Sequence, residues 1–456
     1  MKQIIDFFDN YFFEIVFLLL IVISFYNGYC NIGIWNDGAW YVLNAIQNSP
    51  AIDKTRLISS FLLCFPIYFF NLININNINF INIISVLYGT WFYLLPIIPI
   101  LFLKFLVPKE QKNYLVFVLC SYLLSMICSS YFISSEIYIT TFLYWFILLS
   151  ILFLDFNKIS ILKKFILFSV CVITIFSYQI FFIYSLILMS IIILKNFYFE
   201  KEKAINIYGY IIFLLLLISA VITFYYTINS HDTNSSKFLS NLYIASISIN
   251  YMQYVVAVFV LLTIINYKKK YINVLLLLSL IVVIFLFILN NFALLHNAHD
   301  SRTLTPVFTL FLSIFLICNI IFFKNIKINF NIAKYIIVIL LFVYSLNTFI
   351  FNNKINVIFH NCIDIFEKET RIIIPEDYFF EQLTIKDIIT DRFVLPRQLI
   401  LIQLLYSSDK KISKIIYNKD FNKDNDFNAT NSQFIKKLNN FGVKYSDSLL
   451  EEIDKI

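Results

Sequence analysis

What most constrains this chain is a series of long apolar runs that contain almost no charge. They fall at about 13–31, 57–73, 80–106, 114–134, 137–154, 165–194, 206–228, 251–266, 271–291, 304–323 and 334–351. A helix needs about 20 consecutive apolar residues to cross a bilayer, and most of these runs reach or approach that length. Only 14% of the residues are charged, against roughly 25% in soluble globular proteins. So little charge cannot cover a water-facing surface, which excludes a water-soluble enzyme. The expected fold is an all-α polytopic membrane protein of about 11–12 hydrophobic segments over 1–351. A small mixed α/β extramembrane domain is expected over 352–456, where hydropathy drops and charges alternate.

Asp6, Asp9 and Glu14 surround the start of the first run, and no small-residue cleavage site follows it. It reads as a retained span, not a signal peptide. The seven cysteines form no CxxC pair and lie mostly in apolar runs, so they read as small buried hydrophobes.

The location of charge says more than its sum. Residues 352–456 hold 15 Lys+Arg and 16 Asp+Glu, which leaves 20 basic and 12 acidic groups to residues 1–351. Fifteen of those 20 are lysines in five clusters: Lys104/Lys109/Lys112, Lys158/Lys163/Lys164, Lys195/Lys201/Lys203, Lys268/Lys269/Lys270 and Lys324/Lys327/Lys334. Short lysine-rich loops between spans face the cytoplasm, so the clusters mark topology and not a nucleic-acid partner. Placing all five on one face requires 165–194 to cross twice, with its turn near Tyr178–Gln179. With the N-terminus on that same face, 57–73, which carries Pro66, is expected to re-enter or lie on the surface. An outside N-terminus is the alternative. The plasma (inner) membrane is the expected location, with the C-terminal domain on the external or periplasmic side.

Polar chemistry then collects on the opposite face, in three constellations. Trp35-Asn36-Asp37-Gly38-Ala39-Trp40-Tyr41 follows the first span. Asp37 is placed to act as a general base, with Trp40 and Tyr41 to stack on a sugar. In the competing reading Asp37 caps a short surface helix over 38–48. Ser134-Ser135-Glu136 opens a later span. Glu136 reads as a second acid or as a residue favoured there by the helix dipole. His296-Asn297-Ala298-His299-Asp300-Ser301-Arg302 precedes a span containing Pro306. Arg302 offers a planar fork for phosphate oxygens, assisted by His299 and His296; a solvated loop with an interface arginine is the alternative. His-x-x-His-Asp is also a loose pattern for a divalent metal, and no other cofactor is indicated. Arg56, ahead of 57–73, is a further phosphate candidate or an interface anchor.

The order of these elements resembles GT-C-type polytopic glycosyltransferases that use a polyprenyl-phosphate-linked sugar. Those enzymes carry an acid directly after the first span, as WNDGAWY does with Asp37, and many have another in a later external loop, as SSE does with Glu136. Several have an Arg near His and ahead of Pro at a late span, as in HDSRTLTP. Asp37 followed by Arg56 at the head of LISSFL is also similar to serotype-converting glucosyltransferases. The resemblance implies sugar transfer from a lipid-linked donor to a cell-envelope glycan, lipid or protein acceptor. Asp37 and Glu136 would be catalytic; Arg302, His299, Arg56, Trp40, Tyr41 and His296 would bind substrate. Two other functions compete with it: a transporter or flippase, and a polymerase or ligase, of lipid-linked saccharides. The scarcity of ionisable groups within the runs counts against a transporter.

Overall fold

The computed structural model describes residues 11–34, 37–46, 57–72, 81–129, 136–198, 207–229, 298–321, 330–382, 395–406, 411–417, 444–445 and 449. They form an all-α bundle of membrane type, followed by a small α/β unit. The helices are α1 (Phe12–Tyr29), α2 (Asp37–Ile46), α3 (Leu57–Leu72), α4 (Ile81–Leu94), α5 (Ile97–Leu106), α6 (Leu115–Ser129), α7 (Glu136–Phe153), α8 (Ile161–Ile175), α9 (Phe181–Tyr198), α10 (Ile207–Asn229), α11 (Ala298–Ile321) and α12 (Phe330–Lys368). Three are individually long and apolar enough to cross a membrane: α1, α10 over Ile207–Ile228, and α12. Helices α4 and α5 become a fourth if read together across a 45° bend. Pro96 sits at that bend, immediately ahead of α5, where it has no N–H to continue the ladder of α4. Helix α10 presents Ile207, Tyr210, Leu214, Leu217, Val221 and Ile228 as an exposed stripe. An apolar face of that length is unsuited to water and suited to acyl chains.

Side-chain contacts assign each helix end to one of two levels. At the first, Lys104 pairs with Glu14, and the Lys334 ammonium lies 5.5 Å from the Phe12 ring centre. There too Tyr114 packs on Phe153 and Phe330. Lys163 Nζ donates to the Leu106 carbonyl at 3.1 Å, and Lys195 Nζ to those of Ile151 and Leu154 at 2.7 and 3.0 Å. These lysines cap carbonyls at helix ends, a favourable place for a cation. The bundle therefore has a lysine end and a far end. Helices α1, α6, α8, α10 and α12 run away from the lysine end, and α4–α5, α7, α9 and α11 run toward it.

The run 165–194 is two antiparallel helices, α8 and α9, joined by a turn containing Tyr178 and Gln179. Ile58 N donates to the Phe176 carbonyl at 3.3 Å, so α3 starts at the far end, where α4 also starts. Helix α3, with Pro66 inside it, and α4 therefore both begin at that end. The runs 251–266 and 271–291, and the clusters at 201–203, 268–270 and 324–327, lie outside the described residues.

Helix α1 is locked to α4 by small residues. Ser24 and Gly28 on α1, and Ser85 and Gly89 on α4, are each four apart and so share a face. An added Cβ on Gly28 would lie 2.0 Å from Thr90 Oγ1 and 2.4 Å from the Val86 carbonyl oxygen. On Gly33 it would lie 2.6 Å from Gly89 Cα. Small-xxx-small pairs of this kind let membrane helices approach backbone to backbone. Asn31 ends α1 with a positive φ of 57°, a conformation asparagine tolerates better than most residues.

The compositional boundary at 352 is not a break in the backbone. Helix α12 continues through it to Lys368, carrying the C-terminal unit on a rigid stem. That unit contains β1 (Ile373–Pro375), α13 (Glu376–Gln382), α14 (Leu395–Tyr406), β2 (Lys411–Ile412), β3 (Ile415–Tyr417) and β4 (Lys444–Tyr445). Strands β1 and β3 pair in parallel, as do β2 and β4. Buried Gln403 supports the turn before β3: its Oε1 accepts from Ser413 N and Lys414 N at 3.0 and 3.2 Å. Just past α12, Arg371 donates from Nε and Nη2 to both Glu369 oxygens at 2.9 and 2.8 Å. The same guanidinium lies 3.9 Å from the Tyr378 ring centre. This bidentate partner pulls the Glu369 carboxyl down to about 2. The five cysteines whose side chains are described, Cys30, Cys64, Cys120, Cys171 and Cys362, are buried thiols outside any disulfide.

Two tests follow from this packing. Gly28→Ala is expected to destabilise the detergent-solubilised protein by roughly 1–3 kcal/mol, read as a drop in unfolding midpoint. Adding Thr90→Ala should restore little, because the Val86 backbone oxygen still blocks the methyl group. For Glu369, a lowered folded-state pKa means that its contribution is fully present above its ordinary value near 4.5. That contribution fades as pH falls from there toward about 2. The midpoint difference between wild type and Glu369→Gln should therefore be constant at pH 6–8 and shrink below about pH 4.5.

Candidate functional site

The far end of the bundle gathers the sequence-predicted positions. Asp37 is the first residue of α2, Glu136 the first of α7, and His299 and Arg302 lie in the first two turns of α11. Helices α7 and α11 are in contact. Thr141 and Thr309 both bond the Tyr184 hydroxyl, the first at 3.3 Å. Glu136 precedes Thr141 by five residues and Arg302 precedes Thr309 by seven. At 1.5 Å per residue those positions lie about 8 and 10 Å beyond the same level, so they sit at similar depth on adjoining helices.

Position 37 joins them through aromatic contacts. Tyr41 of α2 lies 6.4 Å from Tyr88 of α4, and one turn further along α4, Phe92 lies 6.2 Å from Tyr138 of α7. Helix α4 therefore stands between the Asp37 and Glu136 positions. Tyr41 is buried in the α2–α4 interface, so its ring is part of the packing and not the wall of an open site. Helix α2 is not a surface helix either. Ala39, Val42 and Leu43 are fully buried, because α3 and α4 cover one side of it and α14 of the C-terminal unit covers another. Trp40 lies in the first turn of α2. Arg56 and His296 lie outside the described residues, as do Asp53, Lys54, His231 and Asp232. Among the described residues no group of three or more His, Cys, Asp or Glu is placed to hold a metal.

Charge counting passed over the groups that frame this end, which are neutral amides. Buried Asn352 Nδ2 of α12 donates to Asn27 Oδ1 of α1 at 3.2 Å, and Asn347 Nδ2 to the Ile127 carbonyl of α6 at 3.1 Å. Asn31 Nδ2 donates to Tyr406 Oη of α14 at 3.1 Å. The Tyr406 ring packs against Phe359 and His360 of α12. Asparagines on α12 thus fasten the far ends of α1 and α6, and Tyr406 ties the chain just after α1 to the C-terminal unit. The signal was present as Asn347, Asn352 and Asn356 within an otherwise apolar helix, but the chain's general abundance of asparagine masked it.

A second polar layer crosses the bundle interior. Ser121 and Thr309 hydroxyls lie 2.9 Å apart, Tyr144 Oη donates to Ser313 Oγ at 2.9 Å, and the Tyr144 and Tyr184 rings stack at 4.3 Å. These bonds join α6, α7, α9 and α11 where few other polar partners exist, a role hydroxyls commonly serve between membrane helices.

Asn352→Leu should cost roughly 1–3 kcal/mol, because it removes the donor to the buried Asn27 Oδ1. Adding Asn27→Leu should recover much of that loss. Unfolding of the four proteins in detergent, analysed as a double-mutant cycle, would refute the pairing if the two losses simply add. No protein-family model, no curated protein and no solved structure matches this chain.

Proposed function

We propose that this chain is a membrane glycosyltransferase that moves a sugar from a polyprenyl-phosphate donor to a cell-envelope glycan, lipid or protein acceptor. The observation that carries the reading is the gathering of positions 37, 136, 299 and 302 at one end of the bundle, opposite the lysines. By the positive-inside rule the lysine end is cytoplasmic. The candidate site and the C-terminal unit then face outward, as a GT-C-like architecture of about 11–12 segments requires.

In this mechanism the donor's lipid tail lies among the helices and its phosphate meets Arg302 and His299, with Arg56 and His296 as further anion contacts. Asp37 takes the proton of the acceptor hydroxyl as its oxygen attacks the anomeric carbon, and Trp40 offers a sugar-stacking face. The bond from that carbon to the phosphate oxygen breaks, and the lipid phosphate leaves with the electron pair. Glu136 orients an acceptor or donor hydroxyl. Negative charge grows on the leaving phosphate, so a preorganised guanidinium acts more strongly on the transition state than on the ground state.

Membranes carrying the wild-type chain should convert a polyprenyl-phosphate sugar into a glycan product detectable by mass spectrometry, and membranes without it should not. Asp37→Asn and Arg302→Ala should each raise the barrier by roughly 2–4 kcal/mol, a loss of about 30- to 1,000-fold in rate. Full transfer by Asp37→Asn would end this assignment.

A further inference from the structure

Where α12 leaves the bundle, it and α13 flank a half-open cavity of about 230 Å³ that the mechanism above does not use. One wall is a single stripe of α12: Asn361, Asp364, Ile365 and Lys368 recur at helical spacing. The other wall is Tyr378 and Gln382, one turn apart on α13. The floor is fixed in advance. Glu369 is held by both arms of Arg371, and the same guanidinium lies over one face of Tyr378. These contacts leave Glu369 and Tyr378 with little freedom to lose on binding.

The lining selects a class of ligand. Asp364 offsets Lys368, and Arg371 offsets Glu369, so the cavity has no net positive charge to offer phosphate. With Glu369 already neutralised by Arg371, Asp364 is the one acid left to the cavity, too little for a divalent cation that takes several oxygens. Two amides, a carboxylate, an ammonium and a phenol supply donors and acceptors side by side, beside the apolar edge of Ile365. That mixture matches a ring bearing several neutral hydroxyls. The volume lies below the roughly 300–1,000 Å³ of sites that enclose drug-sized ligands, so it takes one ring and not a chain.

Its place in the fold is specific too. His360, one turn before Asp364, packs on Tyr406, and Tyr406 bonds Asn31, six residues before Asp37. We propose that the α12–α13 cavity is a saccharide subsite that holds one neutral sugar ring of the acceptor glycan and presents the next unit toward the Asp37 end of the bundle. The role as acceptor subsite rests on the glycosyl-transfer reading; the binding itself does not.

The test is saturation-transfer NMR on the full-length protein in nanodiscs. The probes are a hexose, an N-acetylhexosamine and a 6-deoxyhexose, with inorganic phosphate as competitor. At least one sugar should give saturable ring-proton signals that phosphate does not displace. Asp364→Ala and Gln382→Ala, both at exposed positions, should each weaken that binding at least tenfold without shifting the unfolding midpoint. Asp37→Asn should bind the sugar like wild type. If no sugar binds, if phosphate displaces it, or if both cavity variants bind normally, the subsite is refuted while the Asp37 mechanism stands. If the cavity variants lose binding but Asp37→Asn keeps full transfer, the subsite stands as a saccharide site and the catalytic reading falls.

Discussion

The contact between α1 and α4 is the one on which the rest of the far end depends. Lipid offers no hydrophobic drive for helices to associate, so close packing must supply it. Here the packing is backbone against backbone, with Gly28 under Thr90 and Gly33 against Gly89. The chain contains only six glycines, and three of them meet at this point. An extra methyl group on Gly28 or Gly33 would meet backbone atoms, which cannot swing aside. The contact does more than join two helices. It sets the height of the short 3-10 turn at Ile32–Ile34, and that turn delivers the chain to the start of α2.

A second set of bonds fixes the same end from the opposite side. Helix α12 runs past the bundle as one rod, and its amides reach α1 and α6 at successive turns. Buried amides in an apolar setting are costly when unpaired and directional when paired. They therefore set the rotation and height of a helix that apolar packing alone would let slide. The same rod carries the C-terminal unit, whose Tyr406 returns to Asn31. The loop after the first helix is thus held by glycines beneath and by a phenol from a distant part of the chain.

The sequence disclosed the path of the bundle better than its joints. Lysines are legible because their charge has one favourable level. Lys163 and Lys195 alone force a return within 165–194, and they sit where that return requires, capping carbonyls at one end. The boundary at 352 reads differently, because hydropathy reports where lipid stops and not where a helix stops. Tyr41 lies buried against Tyr88, and an apolar ring beside an acid looks alike in sequence whether it faces a sugar or another tyrosine. The Asn27–Asn352 pair spans most of the chain, and no local pattern announces which asparagines will meet.

How these restraints bear on chemistry follows from what catalysis by fixed charges demands. A base or a phosphate-binding arginine accelerates a reaction when it already stands where charge will develop, since reorganising it during the step would consume the gain. In an otherwise apolar bundle such positions are stable only at helix ends, where polar groups meet water and the helix dipole favours acids at the start. Asp37 and Glu136 both open helices at that level, and Arg302 lies within two turns of one. The glycine contact and the asparagine clamps fix the far ends of α1, α4, α6 and α12 with uncharged groups. Neutral amides and bare backbone thus order the end of the bundle at which positions 37, 136 and 302 lie.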